Sequence, residues 1–175
     1  MSRIRALFKK TGTDRATIDL NETLREVIDL VRSDVHRHGA SIEIELADEL
    51  PPVNADRVQL QQVLVNLVVN AAEAMASVEQ GTRSITVRTR RDAERFHVEV
   101  ADTGPGIPTD QSQKVFEPFH TTKAKGMGIG LAVSRTIIED HGGQLGVGPN
   151  PDAGTGACFY FTLPVGATGA VVQTD

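Results

Sequence analysis

Three stretches of this sequence hold residues whose types and spacing could do chemistry together. The first, QLQQVLVNLVVNAAEAM (59–75), reads as a helix with a wide apolar face of Leu60, Val63, Leu64, Leu67, Val68 and Ala71. Gln62, Asn66 and Asn70 lie four apart, so they stack as a polar stripe along one side. Asparagine disfavours a helix interior because its side chain competes for backbone hydrogen bonds. Two uses for the pair are open. They are satisfied surface amides, or they offer carboxamide oxygens to a hard cation such as Mg2+, which takes water and phosphate oxygens as well.

The second stretch, ADTGPGIP (101–108), closes a strand. Asp102 stands where the strand opens into a loop, and Gly104 and Gly106 permit close approach to the backbone. This is either a tight turn or a place where a carboxylate accepts a hydrogen bond from the exocyclic amine of adenine. The third stretch is KGMGIGLAVSRTIIEDHGG (125–143). Gly126, Gly128 and Gly130 feed a helix N-terminus, whose free N–H groups and dipole suit a phosphate. The GK[ST] ending of a Walker loop is missing, and the spacing is not that of the dinucleotide-binding fingerprint.

Other elements must position these three. A short strand is predicted at 17–20, then a helix to residue 38 capped by Asn21 and stopped by Gly39. Residues 41–46 alternate, with Ile42, Ile44 and Leu46 expected inward and Glu43 and Glu45 outward. Asp56 and Gln59 form a capping box for the long helix, which runs to residue 76. Strands at 84–90 and 96–101 read as a hairpin around Asp92. A short helix is expected at 111–116, a longer one at 130–141, and a last strand pair at 144–148 and 156–163 across the turn PNPDAGT. This order predicts a two-layer α/β sandwich: a mixed, mostly antiparallel sheet with helices on one face.

Composition narrows the function. The 175 residues suit one domain with a full core. A net charge of −5 argues against a general grip on nucleic acid, which needs a basic face. No apolar run approaches the ~20 residues of a membrane helix, and the N-terminus lacks a secretory pattern. A single cysteine, Cys158, excludes an internal disulfide framework and reads as a small buried thiol. The expected setting is cytoplasmic, with no membrane contact.

The ordered set NLVVNAAEAM, DTGPGIP, VFEPFHTTK and GMGIGLAVSRTIIEDHGG, closing with GTGACFYFTLP, resembles the ATP-binding catalytic domain of sensor histidine kinases. These match that family's N box, first glycine box, F box and second glycine box over about residues 20–164. The lid and the NAAEAM ending most resemble the oxygen-sensing and nitrogen-regulation branch. The resemblance implies the Bergerat fold, with ATP and Mg2+ as ligands. It implies Asn70 as the metal ligand and Asp102 as the acceptor of the adenine amine. Gly104 and Gly106, with Ile107, would shape the base pocket. Phe116 and Phe119 would anchor the near end of a mobile lid, and Gly126, Gly128 and Gly130 would meet the phosphates. Thr121, Thr122, Lys123, Met127, Ile129 and Leu131 complete the expected nucleotide-binding set.

Two departures from the family pattern matter. A lysine often found three residues after the metal asparagine is Glu73 here, so Lys123 or Lys125 is the candidate phosphate cation, unless both are simply solvated. Gyrase-, Hsp90- and MutL-type ATPases place a water-activating glutamate one turn before the asparagine; here that place is Asn66, which is no general base near neutral pH. Asn66, Asn70 and Lys123 are thus the candidate catalytic residues, and phosphoryl transfer is favoured over hydrolysis. None of the five histidines, His36, His38, His97, His120 and His141, is followed by an acid as a phosphoacceptor would be. The acceptor histidine is therefore expected on a separate dimerisation domain, with a response regulator further on. Residues 1–12 read as the end of one of that domain's helices, 13–164 as the catalytic domain and 165–175 as a frayed tail; a monomer is expected. A gyrase-like ATPase, an anti-sigma-factor-like serine kinase and a non-catalytic nucleotide sensor are the alternatives.

Overall fold

The structure, a computed structural model, describes residues 14–79, 81–120 and 128–166. The expected helix end at 1–12 lies outside them, as do all but two residues of the expected tail. Among these described residues seven strands and three α-helices follow in the order β1 (Ala16–Ile18), α1 (Leu20–Arg37), β2 (Ser41–Glu45), β3 (Val53–Ala55), α2 (Arg57–Met75), β4 (Ser84–Arg91), β5 (Arg95–Asp102), α3 (Gly130–Asp140), β6 (Gln144–Pro149) and β7 (Ala157–Pro164). The main sheet has the order β2-β4-β5-β7-β6. Its β2–β4 pair is parallel and its other pairs are antiparallel. This is the expected two-layer sandwich.

Strand alternation sets the layers. Ile85 and Val87 on β4, Phe96, Val98 and Val100 on β5, and Phe159, Phe161 and Leu163 on β7 are buried beneath the helices. The opposite face carries ion pairs: Arg88 bridges Glu45 and Asp152, and Arg90 meets Glu99. The hairpin turn is built on Asp92, whose Oδ1 accepts from the Glu94 and Arg95 N–H groups. His97 beside its other oxygen holds the Asp92 carboxyl down at about 2. Cys158 is a buried thiol, and burial pushes it up to about 11, so it stays protonated. Among the described residues no helix is long and apolar enough to cross a membrane.

Five expectations need correction. The cap of α1 is Asp19, whose side chain accepts from the Glu22 N–H at 2.9 Å. Asn21 is inside the helix and 6% exposed; its Nδ2 donates to the Ala47 carbonyl and its Oδ1 accepts from the Thr89 hydroxyl. A second small sheet pairs β1 with β3, a strand too short to alternate visibly. Ile44 is 45% exposed on β2, which is an edge strand of the sheet. The helix expected at 111–116 is two 3-10 turns, Thr109–Gln111 and Lys114–Phe116. The capping box is half formed. Asp56 Oδ1 accepts from the Gln59 N–H, but the Asp56 N–H donates to Nε2 of His141, and Gln59 Oε1 is buried without a partner among the described residues.

The two residues at the start of α1 should separate in a denaturation experiment. Asp19→Ala removes a cap and is expected to cost about 1 kcal/mol. Asn21→Ala strands the Ala47 carbonyl and removes the Thr89 acceptor, and is expected to cost more, about 2–3 kcal/mol. Equal losses would contradict the buried assignment of Asn21.

Candidate functional site

Asp102 is the last residue of β5 and only 2% exposed. Its Oδ1 accepts two backbone N–H groups, from Gly104 at 2.8 Å and from Ala157 at 3.2 Å. Among the described residues Oδ2 accepts none. Burial pushes this carboxyl above its ordinary range, and the two N–H donors oppose that rise without cancelling it. Glycine is needed nearby. A Cβ on Gly104 would lie 2.9 Å from Asp102 Oδ1, and Gly106 has φ +79°. Gly106 and Ile107 line a cavity of about 340 Å3 shared with the β6–β7 loop.

The C-terminal end of α2, at Ala74 and Met75, lies against Gly104, and α2 meets α3 further back along its length. Asn66 and Asn70 are half-buried on α2. Nδ2 of Asn66 donates to the Ser134 hydroxyl of α3 at 3.1 Å, and a Cβ on Gly130 would lie 2.4 Å from Asn66 Oδ1. The structure thus gives Asn66 the work of joining two helices. Gly130 opens α3, whose cap position, Ile129, supplies no side-chain hydrogen bond, so no side-chain cap occupies its first N–H groups among the described residues. Leu131 packs partly buried against the core.

Two segments of chain, at residues 119 and 128, cross where the expected lid would begin and end. The Phe119 N–H donates to the Gly128 carbonyl at 2.8 Å. Gly128 has φ +64°, and a Cβ there would lie 2.7 Å from the Phe119 carbonyl carbon. The two phenylalanines divide. Phe116 is buried, packs edge-on against Phe159 at 6.2 Å between centroids, and has the Arg135 guanidinium over its ring. Phe119 is 77% exposed with φ 66°, and its link to Gly128 is made by its backbone N–H. Thr121, Thr122, Lys123, Lys125, Gly126 and Met127 lie outside the described residues.

Residues 55–167, more than half of the chain, match the family of histidine kinase-, DNA gyrase B- and HSP90-like ATPases. The chain belongs to that family. It is 39% identical over 168 residues to the C4-dicarboxylate transport sensor protein DctS of Rhodobacter capsulatus, spanning 96% of this chain and 25% of that protein. It thus spans about a quarter of that relative's length. Among solved structures it resembles the nucleotide-free catalytic domain of histidine kinase ThkA (TM-score 0.75, 35% identity, 86% of this chain and 95% of that one). It also resembles full-length ShkA in complex with AMPPNP (TM-score 0.75, 29% identity, 92% of this chain and 33% of that one). The sandwich described above is therefore the fold of histidine kinase catalytic domains.

Two residues of this ATPase-type domain escaped the sequence reading. Asn150 in the β6–β7 loop donates from Nδ2 to the Asp102 carbonyl at 2.8 Å. His141 accepts the Asp56 N–H and donates from Nδ1 to the Ile137 carbonyl, which ties the end of α3 to the start of α2. Neither carries a local motif; only its long sequence separation from its partner makes it informative.

The raised carboxyl of Asp102 has a pH signature. A carboxyl held above its unfolded value binds its proton more tightly in the native state, so its ionisation opposes folding. Its stabilising contribution is present in acid and lost as pH rises through the folded value. Asp102→Asn keeps an oxygen for both N–H donors and is expected to raise the melting temperature at neutral pH. That gap should shrink as pH falls through the carboxylate range; a gap that widens in acid would refute it. Phe116→Ala should cost about 3–5 kcal/mol in chemical denaturation and Phe119→Ala under about 0.5 kcal/mol.

Proposed function

We propose that this chain is an ATP-binding kinase domain that passes the γ-phosphoryl group of ATP to a histidine on a separate helical dimerisation domain. The observation that carries this is the Asp102 carboxylate, buried in a glycine-bounded site with one oxygen doubly held and the other left to a ligand. Such a group selects a hydrogen-bond donor on a flat ring, as the adenine amine is. AMPPNP in the related ShkA structure supports the nucleotide reading.

The residues present fit a Mg2+ ion carried in with phosphates. Among the described residues no group of three or more His, Cys, Asp or Glu could hold a metal. Mg2+ is ordinarily bound by one or two protein oxygens together with phosphate and water, and the Asn70 carboxamide is the candidate here. When bound, the ion neutralises charge on the phosphates. The chain's own part is to position. Asp102 orients the base, the open start of α3 with Gly128 and Gly130 receives phosphate oxygens, and Lys123 is proposed as the cation. In the transfer a bond forms between the acceptor imidazole nitrogen and the γ-phosphorus. The bond from that phosphorus to the β–γ bridging oxygen breaks, and ADP leaves. Asn66 supplies no base for water, and its amide is committed to Ser134. That favours transfer over hydrolysis.

Two measurements test this reading. Asp102→Ala is expected to weaken ATP binding by about 1–3 kcal/mol in titration calorimetry, and Asn70→Ala to remove the dependence of binding on Mg2+. Mixed with ATP and a histidine-bearing helical hairpin, the chain should make an acid-labile phosphoprotein. Steady phosphate release without an acceptor would mark an ATPase instead, acid-stable phosphoserine a serine kinase, and binding without transfer a sensor module.

A further inference from the structure

The β6–β7 loop does more than turn the chain. Asn150 within it is 9% exposed, and its side-chain nitrogen, side-chain oxygen and backbone N–H are each engaged. Nδ2 donates to the Asp102 carbonyl at 2.8 Å, Oδ1 accepts the Asp152 N–H at 2.9 Å, and its own N–H donates to the Gly156 carbonyl at 3.2 Å. The register explains why that carbonyl needs a side chain. Asp102 still pairs with Ile85 on the β4 side, but the β5–β7 pairing ends one residue earlier, at Ala101 and Cys158. The Asp102 carbonyl therefore emerges past the ladder, buried and without a strand partner. Gly156 lies so close that a Cβ would be 1.9 Å from that oxygen, which leaves no room for a substitute donor. The same loop ends in the Ala157 N–H that holds Asp102 Oδ1.

We propose that Asn150 is a positioning residue for base recognition: by fixing the Asp102 peptide it fixes the direction in which the carboxylate meets the purine. This rests on the base-reading role proposed for Asp102. Two contacts act on one residue from one loop, Asn150 on its carbonyl and Ala157 on its carboxylate. Losing the first lets the strand end turn and misaims the second. Asp152 makes a surface ion pair with Arg88 and holds the same loop from outside, which supplies a control.

The test compares Mg-ADP with Mg-IDP, whose base lacks the exocyclic amine, by titration calorimetry below each protein's melting temperature. The wild-type chain is expected to prefer ADP by about tenfold or more, because a site built to accept a donor rejects the analogue without it. Asn150→Ser and Asn150→Ala should lose most of that preference, about fivefold or more, with the loss falling on ADP and IDP affinity nearly unmoved. Asp152→Ala should keep the wild-type preference. Folded Asn150 variants that keep the preference, or that lose both nucleotides in proportion, would overturn the proposal. A wild-type chain with no preference would instead overturn the role of Asp102 itself. If neither variant folds, exchange of the Asn150 side-chain NH2 protons in the wild type decides. Slower exchange with ADP than with IDP supports the coupling, and equal exchange refutes it.

Discussion

A carboxylate taken out of water must be held by donors or it neutralises and loses its use. Asp102, 2% exposed at a strand end, is held by two peptide N–H groups from segments more than fifty residues apart in the chain. One comes from the loop just after β5, the other from the start of β7. The first is local, two residues along the chain, and the second reaches it because the main sheet sets β7 beside β5 in antiparallel register. The glycines around it follow from the same constraint. Any side chain at Gly156 would collide with the Asp102 carbonyl, and one at Gly104 would crowd its carboxylate.

The helix layer meets a parallel demand. Helices α2 and α3 are pinned near both ends of their contact, by Asn66 with Ser134 and by the Asp56 N–H with His141. Two separated polar joints across an apolar seam fix the slide of one helix along the other, which ridge packing alone sets only loosely. Consequently the start of α3 stands in a defined place beside α2. The Phe119–Gly128 bond carries that placement to the base of the lid, and buried Phe116 secures it to β7 through Phe159.

What could be read in the sequence was what is written locally. The asparagine stripe on α2, Asp102 with its glycines, and the glycines before α3 are contiguous motifs, and the alternation of β4, β5 and β7 gave their burial directly. Asn21 misled because asparagine serves equally as a cap and as a buried bridge, and only the neighbouring Ala47 and Thr89 decide which. Ile44 misled because alternation marks two faces but not whether a helix covers them, and at an edge strand none does fully. Phe119 was paired with Phe116 by the motif, yet its left-handed backbone turns the side chain to solvent. Asn150 was invisible for a simpler reason: its partner is 48 residues away and is a backbone atom, which has no residue type to recognise.

The cost of burying Asp102 also explains why an amide would be the wrong residue there. An asparagine could accept the same two N–H donors on its oxygen at no charge penalty. Its nitrogen, however, would then face the ligand as a donor, and a purine amine would meet it donor to donor. Only an ionised carboxylate offers an acceptor on both oxygens, so recognition and stability pull in opposite directions at this position. The backbone N–H groups of Gly104 and Ala157 reduce the conflict by favouring the charged form, and Asn150 keeps the peptide in place while they do so. Under the proposed base-reading role, burial and the two N–H donors act in opposite directions on this carboxylate, and Asn150 is the residue proposed to hold its peptide in place.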